Sequence, residues 1–549
     1  MLAEFSWMKG GGRMKASKAI VRCLEKEKIT TVFGYPGAAI CPLYDALSDS
    51  SIRHVLMRQE QSAGHAASGY ARISGKAGVC LATSGPGATN LITAIASAYM
   101  DSIPLVAITG QVQSFLIGRD VFQEADITGA CAPFIKNSTL VKDPKELPRV
   151  IKEAFHIART GRPGPVLVDI PVDILESDMG DFSYPAGVHI VGYKPSVAGH
   201  ALQIKRAAEA LSKSERPVLC AGGGVLSCHA EGLLARLAER LDIPVIHTMM
   251  GVGVLPATHP LSLGMLGSYG VPAANQALYQ ADTVLIVGAR VGDRAVAAAH
   301  QLSDNAKVIH IDVDPAEIGK NLPVDIPIVG DAAAVLETLL NQTKPQFHTD
   351  WVRSCRAKKM YSEEPEQDGY VSPGRLIGRL CSRMEPDGIL VADVGQNQIW
   401  SANHFDLPQG RFLTSGGMGT MGYSLPAAIG ASLAASDRQV AVVCGDGAFQ
   451  MSQMELATVC QEKIPLKIVV FNNRRLGMIR ELQDKKYRGR RYSVDLVGPD
   501  FIRLAQAYGI ESLRLERDGD TDAALERLLG SQSAFLLECM IDPEQPSMP

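Results

Sequence analysis

The chain has no long apolar run, no paired-cysteine pattern and no dominant charge, and each absence removes a class of protein. No apolar segment approaches the roughly 20 residues that a membrane-spanning helix needs. Net charge is −4 over 549 residues, which gives a nucleic acid or other polyanion no electrostatic hold. The N-terminal stretch MLAEFSWMKGGGRMKAS lacks the apolar core and cleavage site of a signal peptide. It reads as a tag remnant or ragged extension ahead of a domain that begins near Met14. The 11 cysteines are odd in number, scattered and without a C-x-x-C. Neither a disulfide framework nor a zinc site is therefore expected, and a reducing cytoplasm is. Several of them (Cys80, Cys220, Cys444) sit in apolar runs, where free cysteine acts as a small hydrophobe.

What the chain does have is an alternation of short apolar runs, glycine turns and helical spacing, which predicts parallel, doubly wound α/β sheets. Its 46% hydrophobic and 20% charged content is ordinary for globular domains. At roughly 150 residues per domain the length leaves room for three or four, and three are expected. The first covers 14–185, with a helix over Lys15–Lys28, strands at Thr31–Phe33, Val79–Thr83, Leu105–Thr109 and Val166–Asp169, and glycine turns after the first two strands. A polar linker follows over 176–197. The second domain covers 198–342, with strands at Pro217–Ala221, Thr283–Val287 and Val308–Ile311. On its residues alone it is a Rossmann-like layer with its ligand left open, because Gly222-Gly223-Gly224 does not complete a dinucleotide fingerprint. After a second polar linker over 343–370, the third domain covers 371–545.

The stretch Cys444–Asn473 carries the strongest chemistry. Gln439–Cys444 reads as a buried parallel strand and runs into Gly445-Asp446-Gly447, where backbone can approach a ligand closely. Gln450–Gln461 has helical spacing, and the next strand, Lys467–Phe471, ends in Asn472-Asn473. Ligands of an open α/β sheet bind beyond the carboxyl ends of its strands, so Asp446 and Asn473 are expected side by side in one crevice. One carboxylate and one amide oxygen suit a Mg²⁺ ion whose remaining ligands are phosphate oxygens and water, and the turn N–H groups can hold the phosphates. Gly-Asp-Gly alone is more often a surface turn, and the paired asparagines at the end of the next strand are what sharpen it. In the first domain Glu60 opens a small-residue helix. It is either a solvated glutamate, favoured near a helix start, or a partly buried carboxyl with a raised pKa that shares a proton with a bound heterocycle.

Gly445-Asp446-Gly447 followed by Asn472-Asn473 resembles the thiamin-diphosphate fold. The motifs GYPGAA, RQEQSAGHAASGYAR, TSGPGATN and AYMDSIPLVAITGQV, with HPLSLGMLG, GARVGDR and HIDVDPAEIGKN further on, resemble the acetolactate (acetohydroxyacid) synthases over nearly the whole chain. The resemblance implies decarboxylation of pyruvate and condensation of the two-carbon unit with a second 2-oxoacid, pyruvate or 2-ketobutyrate, to give 2-acetolactate on the route to branched-chain amino acids. It implies thiamin diphosphate, Mg²⁺ and FAD, the last in a non-redox role. The implied partners are 2-oxoacid substrates, further copies of the chain in a dimer or tetramer with the site at the dimer interface, and a small regulatory subunit. Nucleic acid and membrane are not implied.

Carried over residue by residue, the resemblance implies that Glu60 contacts the aminopyrimidine nitrogen, with Pro36, Gly37, Thr83, Gly87, Asn90 and Gln123 around it. Phe122, Gln123 and Lys136 would line the substrate channel. On the diphosphate side it implies Val394, Gly395, Gln396, Asn397 and Gly419, then Gly445, Asp446, Gly447 and Ala448, then Asn473, Gly477 and Met478. Mg²⁺ would take Asp446, Asn473 and the backbone carbonyl of Arg475. Met421 would wedge between the cofactor's two rings. Flavin contacts fall on Arg162, Gly222, Gly223, Thr248, Gly267, Ser268, Gly288, Arg290, Asp293, Asp312 and Asp331. Arg294 would pair with the acceptor's carboxylate, a task for a bidentate guanidinium, and Met478 and Leu482 complete the catalytic set. On residues alone, Met421 could equally be core packing, Arg294 a surface arginine and Lys136 a solvated lysine.

The chain departs from the family pattern in several places. Gln59 stands where histidine is commoner, Ser268 replaces a methionine, Gly292 an aspartate and Leu482 a tryptophan. The tryptophan favours 2-ketobutyrate in the family, and its absence implies that this preference is not carried over. Family members carry a proline-rich tail beyond Met540–Pro543 that closes over the site, and a short or missing lid is expected. A sister carboligase or lyase, similar to sulfoacetaldehyde acetyltransferases or cyclic-diketone hydrolases, is the alternative, and a catalytically silent subunit the third reading.

Overall fold

Short β-branched and aliphatic runs build three six-stranded sheets in the computed structural model, which describes residues 14–296, 302, 304–358, 366 and 369–548. Neighbouring strands in all three sheets are parallel. The first sheet holds β1 (Thr31–Gly34), β2 (Arg53–Leu56), β3 (Gly78–Ala82), β4 (Leu105–Gln111), β5 (Asn137–Leu140) and β6 (Pro165–Pro171), in the spatial order β2-β1-β3-β4-β6-β5. The second holds β7 (Pro217–Ala221), β8 (Val245–His247), β9 (Ser262–Met265), β10 (Thr283–Val287), β11 (Lys307–Asp312) and β12 (Ile326–Val329), ordered β9-β8-β7-β10-β11-β12. The third holds β13 (Ile389–Ala392), β14 (Arg411–Leu413), β15 (Val440–Gly445), β16 (Lys467–Asn472), β17 (Glu511–Leu515) and β18 (Phe535–Met540), ordered β14-β13-β15-β16-β18-β17.

Central strands β3, β4 and β6 are buried along their whole length, as parallel strands covered by helices on both faces must be. Five helices carry or adjoin the candidate residues: α1 (Glu60–Ser74), α2 (Gln396–His404), α3 (Ser424–Ala434), α4 (Asp446–Gln450) and α5 (Gly477–Tyr487). By packing, the described residues fall into two units. The described residues of 14–68 and 76–193 contain the first sheet, and those of 69–75 and 194–548 contain the other two. Within the second unit, Val252 and Met265 join the apolar core of the third sheet beside Phe405 and Phe412, whose rings meet edge to face.

Three expectations need correction. The helical spacing over Gln450–Gln461 is not one helix: α4 ends at Gln450, a 3₁₀ turn occupies Gln453–Glu455, and a short helix runs over Leu456–Gln461. The break turns Met451 toward Gly422. The polar stretch 343–370 contains a helix, Thr349–Arg356, anchored by Trp351 Nε1 donating to the Pro217 carbonyl. The stretch 176–197 includes a strand, Asp178–Gly180, paired antiparallel with Met14–Lys15. All 11 cysteines are unpaired. Among the described residues no helix is long and apolar enough to cross a membrane.

Candidate active site

In the first sheet the connections leave β1 and β3 in opposite directions, and the crevice beyond their carboxyl ends is where an open sheet binds ligands. The glycine turn after β1 and the turn after β3 meet there. A Cβ at Gly37 would stand 2.5 Å from the Thr83 methyl, and Thr83 Oγ1 accepts from Ala39 N at 3.2 Å. Only glycine permits that approach. A Cβ at Gly87 would lie 2.8 Å from the same methyl and 3.2 Å from Glu60 Oε1. Glu60, half-buried at the first position of α1, therefore leans into this crevice. Its other oxygen, Oε2, accepts from Asn90 Nδ2 at 2.9 Å. Gln123, at φ +60°, brings its backbone to 2.9 Å from where a Gly85 Cβ would be. The structure thus gathers Gly37, Thr83, Gly87, Glu60, Asn90 and Gln123, with one carboxylate oxygen pinned and the other facing Gly87. Pro36 is exposed at the rim, as is Phe122.

The third sheet repeats the arrangement with different chemistry. The turn after β13 (Val394-Gly395) and the turn after β15 (Gly445-Asp446-Gly447) share one crevice. Asn397 Nδ2 donates to the carbonyls of Asp393 (2.7 Å) and Val443 (3.2 Å) and so ties the two strands together. Its Oδ1 lies 3.4 Å from a Cβ built at Gly445. Asp446 is buried, and burial pushes its carboxyl up to about 7, against the backbone N–H groups of Gly447 and Arg474 that favour the charged form. The Arg474 contact seats this carboxylate on the turn that carries Asn473. Asn473, also buried, accepts from Arg475 N at 3.0 Å through Oδ1. A desolvated carboxylate on the same turn as an amide oxygen is a hard-oxygen donor pair that gains from a divalent cation. A Cβ at Gly447 would lie 3.7 Å from Met421 Cε and 3.0 Å from methyls of Leu476 and Leu496. Ala448 follows at the first turn of α4, and Gly477 and half-buried Met478 open α5. Gly419 sits at φ +67° with open space around it.

The second sheet has the strand order of dinucleotide-binding folds, with its switch point between β7 and β10. Gly222 and Gly288 meet there: a Cβ at Gly222 would stand 2.1 Å from the Gly288 carbonyl oxygen. Gly223 lies on the same turn and Thr248 just past β8. Asp312, at the end of β11, accepts from Asp314 N at 2.9 Å, and Asp331 caps the helix that begins at Ala332. Gly267 (φ +109°) packs on the Arg294 carbonyl, which accepts from Ser268 N at 2.9 Å. Arg290 offers its carbonyl to Asn321 Nδ2 at 3.1 Å. The side chains of Arg294 and Asp293 are exposed (79% and 94%) and 3.9 Å apart.

The sequence matches three profiles in chain order: the N-terminal TPP binding domain of thiamine pyrophosphate enzymes over 14–130, their central domain over 204–339 and their C-terminal TPP binding domain over 393–539. It is 45% identical over 547 residues to a probable acetolactate synthase large subunit of Methanocaldococcus jannaschii, covering 97% of this chain and 93% of that one. The chain belongs to the acetolactate synthase family of thiamine pyrophosphate enzymes. Two further relatives also span more than nine-tenths of it. The acetolactate synthase large subunit of Corynebacterium glutamicum is 44% identical over 94% of this chain and 84% of that one, and the acetolactate synthase of Arthrospira platensis is 42% identical over 98% and 96%.

Several residues carried over from the acetolactate synthase family are occupied by other work. Lys136, expected to line a substrate channel, caps a helix instead. Its ammonium donates to the carbonyls of Ile157 and Thr160 (2.7 Å) and to Tyr193 Oη (3.1 Å), which uses all three donors. A cation at the carboxyl end of Leu147–Arg159 is favoured by the helix dipole. Gln396, expected on the cofactor, donates to Glu481 Oε1 and to the Gln545 carbonyl, both at 2.6 Å. Arg162, expected on the flavin, donates to Ser102 Oγ (2.9 Å) and lies over the Tyr99 ring. The last described residues are anchored: Glu544 pairs with Arg475, Arg480 and Arg491, and Trp400 Nε1 donates to the Pro546 carbonyl at 3.1 Å. The sequence marks Asn472 only as half of a motif and gives no sign of Glu538. Asn472 Nδ2 donates to Glu538 Oε1 (2.7 Å), and Asn472 Oδ1 accepts from Arg474 N (3.1 Å), which shapes the turn beneath Asn473. Nothing in the local sequence pairs residues 66 positions apart.

Proposed function

We propose that the protein condenses two molecules of pyruvate to 2-acetolactate and CO₂. The observation that carries the reading is the pair of crevices at matching positions of two sheets with the same strand order. One is lined by Glu60, Gly87 and Asn90, the other by Asp446, Asn473 and Met421. Bound thiamin diphosphate supplies the electron sink that lets a 2-oxoacid lose CO₂. In this reading Glu60, held by Asn90, shares a proton with the aminopyrimidine through Oε1. Asp446, Asn473 Oδ1 and the Arg475 carbonyl hold Mg²⁺. Met421, against Gly447, supplies the bulk that bends the cofactor. Arg294, with its guanidinium in solvent, is the group for the acceptor's carboxylate.

Ser268 and Leu482 stand where the family pattern carries larger side chains, and Leu482 is exposed on α5. This favours pyruvate over 2-ketobutyrate as acceptor. FAD fits the switch point of the second sheet, on Gly222, Gly288 and Asp312, as a structural ligand. Glu60 and the Asp446–Asn473 pair lie in separate units, and the reading carries with it a homo-oligomer that completes the site and a reducing, cytoplasmic setting for the unpaired cysteines. Acetolactate formation from pyruvate, with and without thiamin diphosphate and Mg²⁺, tests it on wild type and Glu60→Gln. Cofactor-dependent product that the variant loses is expected. Wild-type protein that binds both cofactors and makes no product would move the assignment to a sister carboligase.

A further inference from the structure

Asp393 follows β13 and is fully buried. Four donors converge on its carboxylate. Oδ1 accepts from Val394 N (2.8 Å) and Gly422 N (3.0 Å); Oδ2 accepts from Ser424 N (2.8 Å) and Ser424 Oγ (2.7 Å). Burial pushes the carboxyl up, and the four donors hold it down toward the charged form. Three of the four bonds go to a loop about thirty residues away in sequence, the 414–424 loop that carries Met421. The other end of that loop is pinned too. Gln398 Nε2 donates to Thr414 Oγ1 at 2.7 Å, and Ser415 Oγ accepts from Thr420 N at 3.1 Å. Met421 therefore stands between two tethered backbone positions, Thr420 and Gly422. Gly422 is at φ +85°, and a Cβ there would lie 3.0 Å from Met451 Cβ, so the loop has little room to drift.

We propose that Asp393 is a positioning residue for Met421: its carboxylate ties the turn after β13 to the 414–424 loop and so fixes where the Met421 thioether stands over the Gly445–Gly447 turn. This rests on the function proposed above, in which Met421 shapes the bound cofactor. An acceptor with four donors around it must present lone pairs in four directions, which a carboxylate does and an amide does not. Ser424 supplies two of the donors, and removing its hydroxyl subtracts one bond while leaving three.

The test measures hydrogen–deuterium exchange at the thiazolium C2 of bound thiamin diphosphate without substrate, in holoenzyme with Mg²⁺, together with the cofactor Kd and Tm. Wild type, Met421→Ala, Ser424→Ala and Asp393→Asn are compared. Since small misplacements near reacting atoms cost up to about 100-fold, Ser424→Ala is expected to slow exchange by roughly 10-fold with Kd within about 2-fold and Tm little changed. Asp393→Asn, where it folds, slows it further. Exchange at the wild-type rate in Ser424→Ala, or a loss that only tracks Kd and Tm, overturns the proposal and leaves the function intact. Unchanged exchange in Met421→Ala overturns the reading of Met421 itself, and the proposal with it.

Discussion

A carboxylate's neighbours decide its use, and Glu60 and Asp169 show two outcomes in one unit. Glu60 has one oxygen fixed by Asn90 and the other beside Gly87. Glu60→Gln should lower kcat by about 100-fold or more, in the range of a lost proton-transfer partner. Asn90→Ala, which leaves the carboxylate but frees it, should cost about 10-fold, mostly in kcat; steady-state kinetics at saturating cofactor separates the two. Asp169 is buried and its pKa is pushed up to about 7 by desolvation, partly opposed by Thr109 Oγ1 (2.6 Å) and Gln111 Nε2 (3.0 Å). Its folded pKa lies above the unfolded one, so the native state binds more protons than the unfolded state between about pH 4 and 7. Its contribution to stability is therefore present at low pH, falls as pH rises through that window and is flat above it, with a slope of at most about 1.4 kcal/mol per pH unit. Urea unfolding from pH 5 to 8 should show that decline in wild type and a shallower one in Asp169→Asn.

Among the elements, β17 and β18 carry a cross-strand pair, Arg514 opposite Glu538, with Nε to Oε2 at 2.8 Å. Glu538 is buried; Arg514 is 38% exposed, so solvent screens part of the attraction. Arg514→Met leaves a buried carboxylate with only Asn472 as a side-chain donor. It is expected to cost about 2 kcal/mol, below the usual loss for breaking a fully buried pair. Arg514→Met/Glu538→Met should recover part of that loss, as chemical denaturation would show. This pair was invisible in the sequence for the same reason as Asp393: the partners of a buried charge lie on other strands and loops.

Central strands were legible because parallel strands buried on both faces are continuous apolar runs. Pro217–Ala221 and Thr283–Val287 end where the sequence places their ends. Edge strands Arg53–Leu56 and Asn137–Leu140 mix polar and apolar residues and stayed hidden. The helix Thr349–Arg356 buries only Val352 and Cys355, too few to stand out in a polar stretch. The placement of Asp446 and Asn473 at the ends of adjacent parallel strands was legible from strand-end spacing. Lys136 was not, because its helix-capping role depends on carbonyls 21 and 24 residues away.

At the scale of the molecule, Val191 and Val197 are 90% and 60% exposed on either side of the boundary between the two packing units at Tyr193 and Lys194. No helix or strand covers 181–200, and long irregular segments are the usual sites of nicking. Limited thermolysin digestion should cut there first and release two protease-resistant pieces, and thermal unfolding should depart from a single two-state transition. A first cut inside any of the three six-stranded sheets would contradict the division.

The first and third sheets run their six strands in one order, while the second has another. Two copies of one domain within a single gene would leave such a match, with the second sheet lying between them in sequence. Both sheets have their crevice at the same switch point. One carries an acid, Glu60, and the other an acid–amide pair, Asp446 and Asn473. A primordial chain holding one such sheet would have needed a second copy of itself to own both chemistries.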